Sequence, residues 1–175
     1  EVAKEASDIV LLDDNFATLV EAVEEGRRIY SNILKVIKFL LTTNLSEILL
    51  IIMATLMGLP TPLLPVQILW VNLVTDSLPA VALGMDSASP HLMRVPPRRN
   101  SPLLDGDMLR YIGVGGLIMA GFCLLSFYYL LGLSNLQFAR GFVFTFIVVL
   151  QMMLAFVIRR HHHPLSNKYL LGTVA

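Results

Sequence analysis

A chain of 175 residues that is 55% hydrophobic, with a mean hydropathy of +0.70, is too apolar for an ordinary soluble domain. Its formal net charge is zero, so any information in its charges lies in where they fall. The single cysteine, Cys123, excludes a disulfide within the chain and reads as a small buried apolar residue.

Residues 1–15 read as soluble structure. Val2 to Ser7 suits a short helix, Asp8 to Leu12 a short buried strand, and Asp13-Asp-Asn15 a turn and helix N-cap. Fifteen residues cannot form a core alone, so they are expected to close a larger soluble domain. No signal peptide is visible, no initiator Met is present, and the C-terminus stops as a new apolar run begins. A piece of a longer protein is expected.

From Phe16 onward, apolar residues at 16, 19, 20, 23, 30, 33, 34 and 37 fall on one helical face, and Glu24 is spaced to pair with Arg27 and Arg28. No strong stop appears before Gly58-Leu-Pro60, so one helix over 16–58 is predicted, about 60 Å long. Residues 16–38 would form a stalk and 39–59 a membrane span; two helices hinged at Gly26 are the alternative. Three further runs, 63–85, 111–133 and 141–158, are each long enough to cross a bilayer as a helix, giving an all-α bundle of four transmembrane helices.

Of the 13 Lys and Arg residues, 12 fall on one side of these spans, and only Arg140 lies on the other. This asymmetry places the N-terminus, the loop 86–110 and the segment 159–175 in the cytoplasm of a multi-pass membrane protein, and the single cysteine and short outer loops fit a bacterial plasma membrane as the expected location. The loop 86–110, rich in Pro and Arg, reads as an ordered extended segment that docks on a soluble domain. The triple His161-His162-His163 reads as a cationic interfacial segment rather than a metal site, and Trp70 as a packing residue. No nucleic-acid partner is expected.

Two carboxylates lie inside spans. Glu47 falls in the first and Asp76 in the second, and no Lys or Arg lies deep enough to pair with either. A charge at the bilayer centre costs roughly 2.5–3.5 kcal/mol on insertion scales, so these residues need an offsetting partner. Asn44 and Glu47, three apart, share one helix face; Asn72, Thr75 and Asp76 share another. Pro79 cannot donate to the carbonyl of Thr75 and is expected to open the turn beside Asp76. Oxygen-only ligands select hard cations, leaving calcium, magnesium, sodium and protons open. Gln151, alone in the fourth span, reads first as a bond to a neighbouring helix.

The segment Val66-Gln-Ile-Leu-Trp-Val-Asn-Leu-Val-Thr-Asp-Ser-Leu-Pro-Ala80 strongly resembles the sixth membrane helix of type II P-type cation ATPases, the calcium pumps in particular. Thr43-Asn-Leu-Ser-Glu47 resembles the ion-binding part of the fifth helix, Glu24-Glu-Gly-Arg27 and Ile29-Tyr-Ser-Asn32 its stalk, and Pro96-Pro-Arg98 the loop between the sixth and seventh helices. The resemblance implies that Asn44, Glu47, Asn72, Thr75 and Asp76 coordinate transported Ca2+, with Asp76 shared between two ion positions. Gln151 falls where two-ion pumps carry a Glu, which leaves one ion per cycle or a weakened second position open. It also implies that residues 1–15 end an α/β phosphorylation domain. ATP and Mg2+ would be bound by nucleotide-binding and actuator parts of the parent, the catalytic Asp and further membrane helices would lie outside this chain, and the chain alone would neither hydrolyse ATP nor pump. The alternatives are a sodium, proton or magnesium pump, an ATP-independent transporter or channel, and an ion-inert bundle.

Overall fold

The computed structural model describes residues 5, 15–87, 92–94 and 103–161, with backbone alone at 160 and 161. The expected strand at 8–12, the helix at 2–7 apart from residue 5, the loop motif Pro96-Pro-Arg98, the His161 to His163 side chains and the terminal segment 162–175 lie outside the described residues. Among the described residues there is no β-strand. Four helical stretches are long and apolar enough to cross a membrane: Phe16–Leu56, Pro65–Gly84, Gly106–Leu133 and Leu136–Arg159.

Helix α1, Phe16–Leu56, runs unbroken through Gly26 for 41 residues. Asn15 caps it, its side chain accepting from the Ala17 N–H at 3.0 Å. At the other end Gly58 takes φ +66°, and the N–H of Leu59 reaches back to the Ala54 carbonyl at 2.9 Å. That is the left-handed turn that closes a helix C-terminus and that glycine adopts without steric cost. Glu24 is not the partner of Arg28, which pairs with Glu25 at i+3 instead. The apolar stripe of the first turns is exposed (Phe16, Val20 and Val23), whereas the polar residues Asn32 and Lys35 are buried.

The second span is interrupted. It comprises α2, Pro65–Trp70, a π-helical turn over Val71–Thr75, and α3, Ser77–Gly84. The N–H of Asp76 bonds the Val71 carbonyl at 2.9 Å, five residues back. The widened turn sits just before Pro79, which has no N–H for the usual ladder and crowds the preceding turn. A short 3₁₀ turn follows at Leu92–Arg94. Helix α4, Gly106–Leu133, is capped by Asp105, whose carboxylate accepts from Met108 N–H at 2.8 Å. Helix α5 covers Leu136–His161. At the sparsely charged end Arg140 ties the loops together, donating to the Thr61 carbonyl at 2.8 Å and to its hydroxyl at 2.9 Å.

Helices α1 and α4 share the largest interface. Small residues on α4 permit it. A Cβ added at Gly115 would meet Thr42 Cγ2 at 3.0 Å, and one at Gly116 would meet Leu45 at 3.1 Å, while Gly113 and Gly121 face open space. Gly116→Val is therefore expected to lower stability by about 1–3 kcal/mol through overpacking. The same substitution at Gly113, where helix propensity changes equally, should be nearly neutral in a detergent thermal melt. Lys38 lies 3.6 Å from the Tyr111 ring centroid and adds a cation–π contact to the same interface.

Two apolar clusters hold the bundle. One contains Leu50, Ala54, Cys123, Phe127, Val143 and Ile147, and the other Phe39, Leu83 and Ile158. Between them, on α1, the π turn of the second span and α5, lies a buried polar layer. Trp70 is not a packing residue within the described bundle, being 56% exposed together with Leu69 and Leu73. Such outward apolar faces suit helices surrounded by lipid or by further membrane helices.

Candidate cation site

The polar layer is built from one turn of α1, the π turn and the middle of α5. Thr43 and Glu47 are four apart on α1, and Asn72 and Asp76 are four apart across the widened turn, so each pair stacks on one face. The two stretches run antiparallel and make two rungs. Asn72 Nδ2 donates to Glu47 Oε2 at 2.9 Å, and Thr43 Oγ1 donates to Asp76 Oδ2 at 2.9 Å. The rungs are about one turn, or 5.4 Å, apart, so the two carboxylates occupy diagonal corners.

From α5, Gln151 Nε2 donates to Glu47 Oε1 at 2.9 Å. Both Glu47 oxygens thus accept amide N–H bonds. Glu47 is 3% exposed, Asp76 1% and Gln151 0%. Among the described residues no Lys, Arg or His forms an ion pair with either carboxylate. Asp76 Oδ1 and Gln151 Oε1 are buried with no hydrogen-bond partner among the described residues. Buried oxygens left in this way cost about 1–3 kcal/mol each and are uncommon in folded proteins. The two carboxylates, one of them with an unpartnered oxygen, and the Gln151 carbonyl oxygen form a cluster of electron-rich oxygen that a hard cation would satisfy.

The expected residues are not equally placed. Glu47, Asn72 and Gln151 are joined directly, and Asp76 sits on the neighbouring rung. Thr75 is buried next to Asp76 in the chain. Asn44 is half-buried, its amide donating to the Leu40 carbonyl at 2.8 Å, and no hydrogen bond links it to either carboxylate. Thr43, given no role by the sequence reading, is the residue that holds Asp76. Its signal was its spacing, one turn before Glu47 on the same face. Gln151 makes the helix-to-helix bond expected of a lone amide, and the acceptor of that bond is a site carboxylate.

Residues 60–175 match the family described as cation transporting ATPase, C-terminus. The chain is 43% identical over 185 residues to a calcium-transporting ATPase of Bacillus subtilis, covering 99% of this chain and 20% of that protein. It is 53% identical over 117 residues to a calcium-transporting ATPase of Plasmodium falciparum, covering 66% of this chain and 10% of that one. Over 120 residues it is 46% identical to the endoplasmic reticulum-type calcium-transporting ATPase 2 of Arabidopsis thaliana, covering 67% and 11%. The chain therefore spans between a tenth and a fifth of the length of these relatives.

Proposed function

Since this chain belongs to the cation-transporting ATPases through its C-terminal membrane region, we propose that it is the ion-coordinating membrane part of an ATP-driven calcium export pump. The observation that carries this reading is the pair of buried carboxylates on facing helices, one turn apart, with no cationic side chain paired to them among the described residues. The names of the relatives favour calcium over sodium, magnesium or protons.

The donor set suits calcium, which takes 6–8 oxygens at about 2.3–2.6 Å in flexible geometry. Each carboxylate offers about four lone-pair positions. The hydrogen bonds use two on Glu47 and one on Asp76, so about half the acceptor capacity of Glu47 and most of that of Asp76 remain for an ion. Gln151 Oε1 and the Asn72 side chain, both joined to Glu47 through their amides, are the uncharged groups beside the carboxylates, and Thr75 and Asn44 are proposed to complete the set. Thr43 orients Asp76. With Gln151 uncharged, the ligand set carries two negative charges, which balance a single divalent ion.

The phosphoryl chemistry belongs to other parts of the longer protein, in which an aspartyl-phosphate forms with ATP and Mg2+ and the chain of α1 links that chemistry to Glu47. The chain is read as a multi-pass integral membrane protein with the Lys35 and Arg159 end in the cytoplasm, by the distribution of its basic residues. A bacterial plasma membrane fits the Bacillus relative matched along 99% of the chain. The test is ATP-driven uptake of radioactive calcium into vesicles by the full-length protein, with ATPase stimulation measured across calcium, magnesium, sodium and pH. Calcium-dependent uptake is expected; ATPase stimulation by sodium or protons without calcium uptake overturns the choice of ion.

A further inference from the structure

A second buried polar cluster lies at the basic end of the bundle, and transport chemistry does not use it. Asp86, 4% exposed, follows α3 and draws three elements together. Its Oδ2 accepts from Lys35 Nζ on α1 at 2.7 Å, and its Oδ1 accepts from Arg159 Nε on α5 at 3.3 Å. Its backbone carbonyl accepts from Asn32 Nδ2 at 2.8 Å; the same amide reaches the Gly84 carbonyl at 3.1 Å, and Asn32 Oδ1 accepts from Lys35 Nζ at 3.2 Å. Lys35 is 3% exposed. Burial pushes the Asp86 carboxyl up, but the Lys35 hydrogen bond and charge, the Arg159 charge and the Ser87 N–H more than offset it and hold it below the usual carboxylate range.

A buried ion pair is weak as a source of stability, because apolar replacements of both partners are often no less stable. What it fixes is geometry. Asp86 lies ten residues beyond Asp76, on the order of 15 Å along the helix. Between them α3 is a short stiff segment with the widened turn at its near end and Asp86 at its far end. The depth and rotation of α3 against α1 are therefore set at Asp86, and Asp76 moves with α3.

We propose that Asp86 is a positioning residue: its pairing with Lys35 sets the register of α3 against α1 and thereby the separation of Asp76 and Glu47 that a bound cation senses. This rests on the calcium reading of the site. The test uses the full-length protein in proteoliposomes, with calcium-stimulated ATPase activity measured for Asp86→Asn, Lys35→Met and the double variant. Each single change is expected to raise the half-saturating calcium concentration about tenfold, with maximal turnover within about twofold, and the double variant is expected to be no worse than either single one. Unchanged half-saturation in either single variant, or additive losses in the double, overturns the proposal. If a single variant fails to accumulate, the exchanged pair Lys35→Asp with Asp86→Lys decides: recovery of folding and of half-saturation to within about threefold supports the latch, and a folded exchange variant that stays about tenfold weaker overturns it. Asp76→Asn run alongside separates the two readings. If it keeps full calcium dependence, the site assignment fails; if it loses that dependence while Asp86→Asn behaves as the parent does, only the latch fails.

Discussion

Full-length protein carrying Asp76→Asn is expected to need at least about a hundredfold more calcium for half-maximal ATPase activity, while melting no lower than the parent. The two halves of this result have one cause. Asp76 is 1% exposed, one of its oxygens has no partner among the described residues and the other is held by Thr43. Removing its charge relieves the roughly 2.5–3.5 kcal/mol cost of a carboxylate in the membrane, so the fold should not suffer. The same change removes an anionic ligand from a divalent ion; charged hydrogen-bond partners alone are worth about 1.5–3 kcal/mol, and each 1.4 kcal/mol is tenfold in affinity. Paired measurements of calcium-stimulated hydrolysis and of thermal unfolding in detergent check it. Near-normal calcium dependence would remove Asp76 from the site, and a large drop in stability would make it a structural residue.

The second large effect is expected from Gln151→Glu. The amide nitrogen lies 2.9 Å from Glu47 Oε1, so a carboxylate there would face a carboxylate. Two like charges 4 Å apart repel by about 4 kcal/mol at an effective dielectric of 20, and such a pair tends to share a proton instead. Without calcium at neutral pH the variant should melt well below the parent. Calcium should restore it by more than it stabilises the parent, because a divalent ion held between them screens the added repulsion of the neighbouring carboxylates. Equal melting of parent and variant without calcium would mean that Gln151 and Glu47 are not neighbours.

Much of this architecture is legible in the chain. Long apolar runs fix the spans, because backbone groups in hydrocarbon must be satisfied within a helix. Glu47 and Asp76 stand out for the same reason, since each violates the composition of its span. What periodicity does not supply is which rung a residue occupies. Thr43 and Asn44 are adjacent, and only the packing of α1 against the second span puts Thr43 on Asp76 and turns Asn44 back onto Leu40. Lys35 and Asp86 were unreadable for a related reason. Each looks like an ordinary flanking charge until antiparallel packing brings together residues 51 apart. The widened turn over Val71–Thr75 was only half visible: Pro79 signals irregular backbone, but where the extra residue settles depends on what the turn packs against.

That turn holds one residue of slack immediately ahead of Asp76. Were it to tighten to ordinary helix, α3 and everything fixed to it would advance by about 1.5 Å and swing by roughly a quarter-turn or more relative to α2, since one residue is about 1/3.6 of a revolution. A carboxylate carried on that short screw would leave Thr43 and present itself to a different side of the bundle, with bonds such as Asp76 N–H to the Val71 carbonyl exchanged for four-residue-back helical ones. Release of a tightly held ion would then require no unfolding of the span.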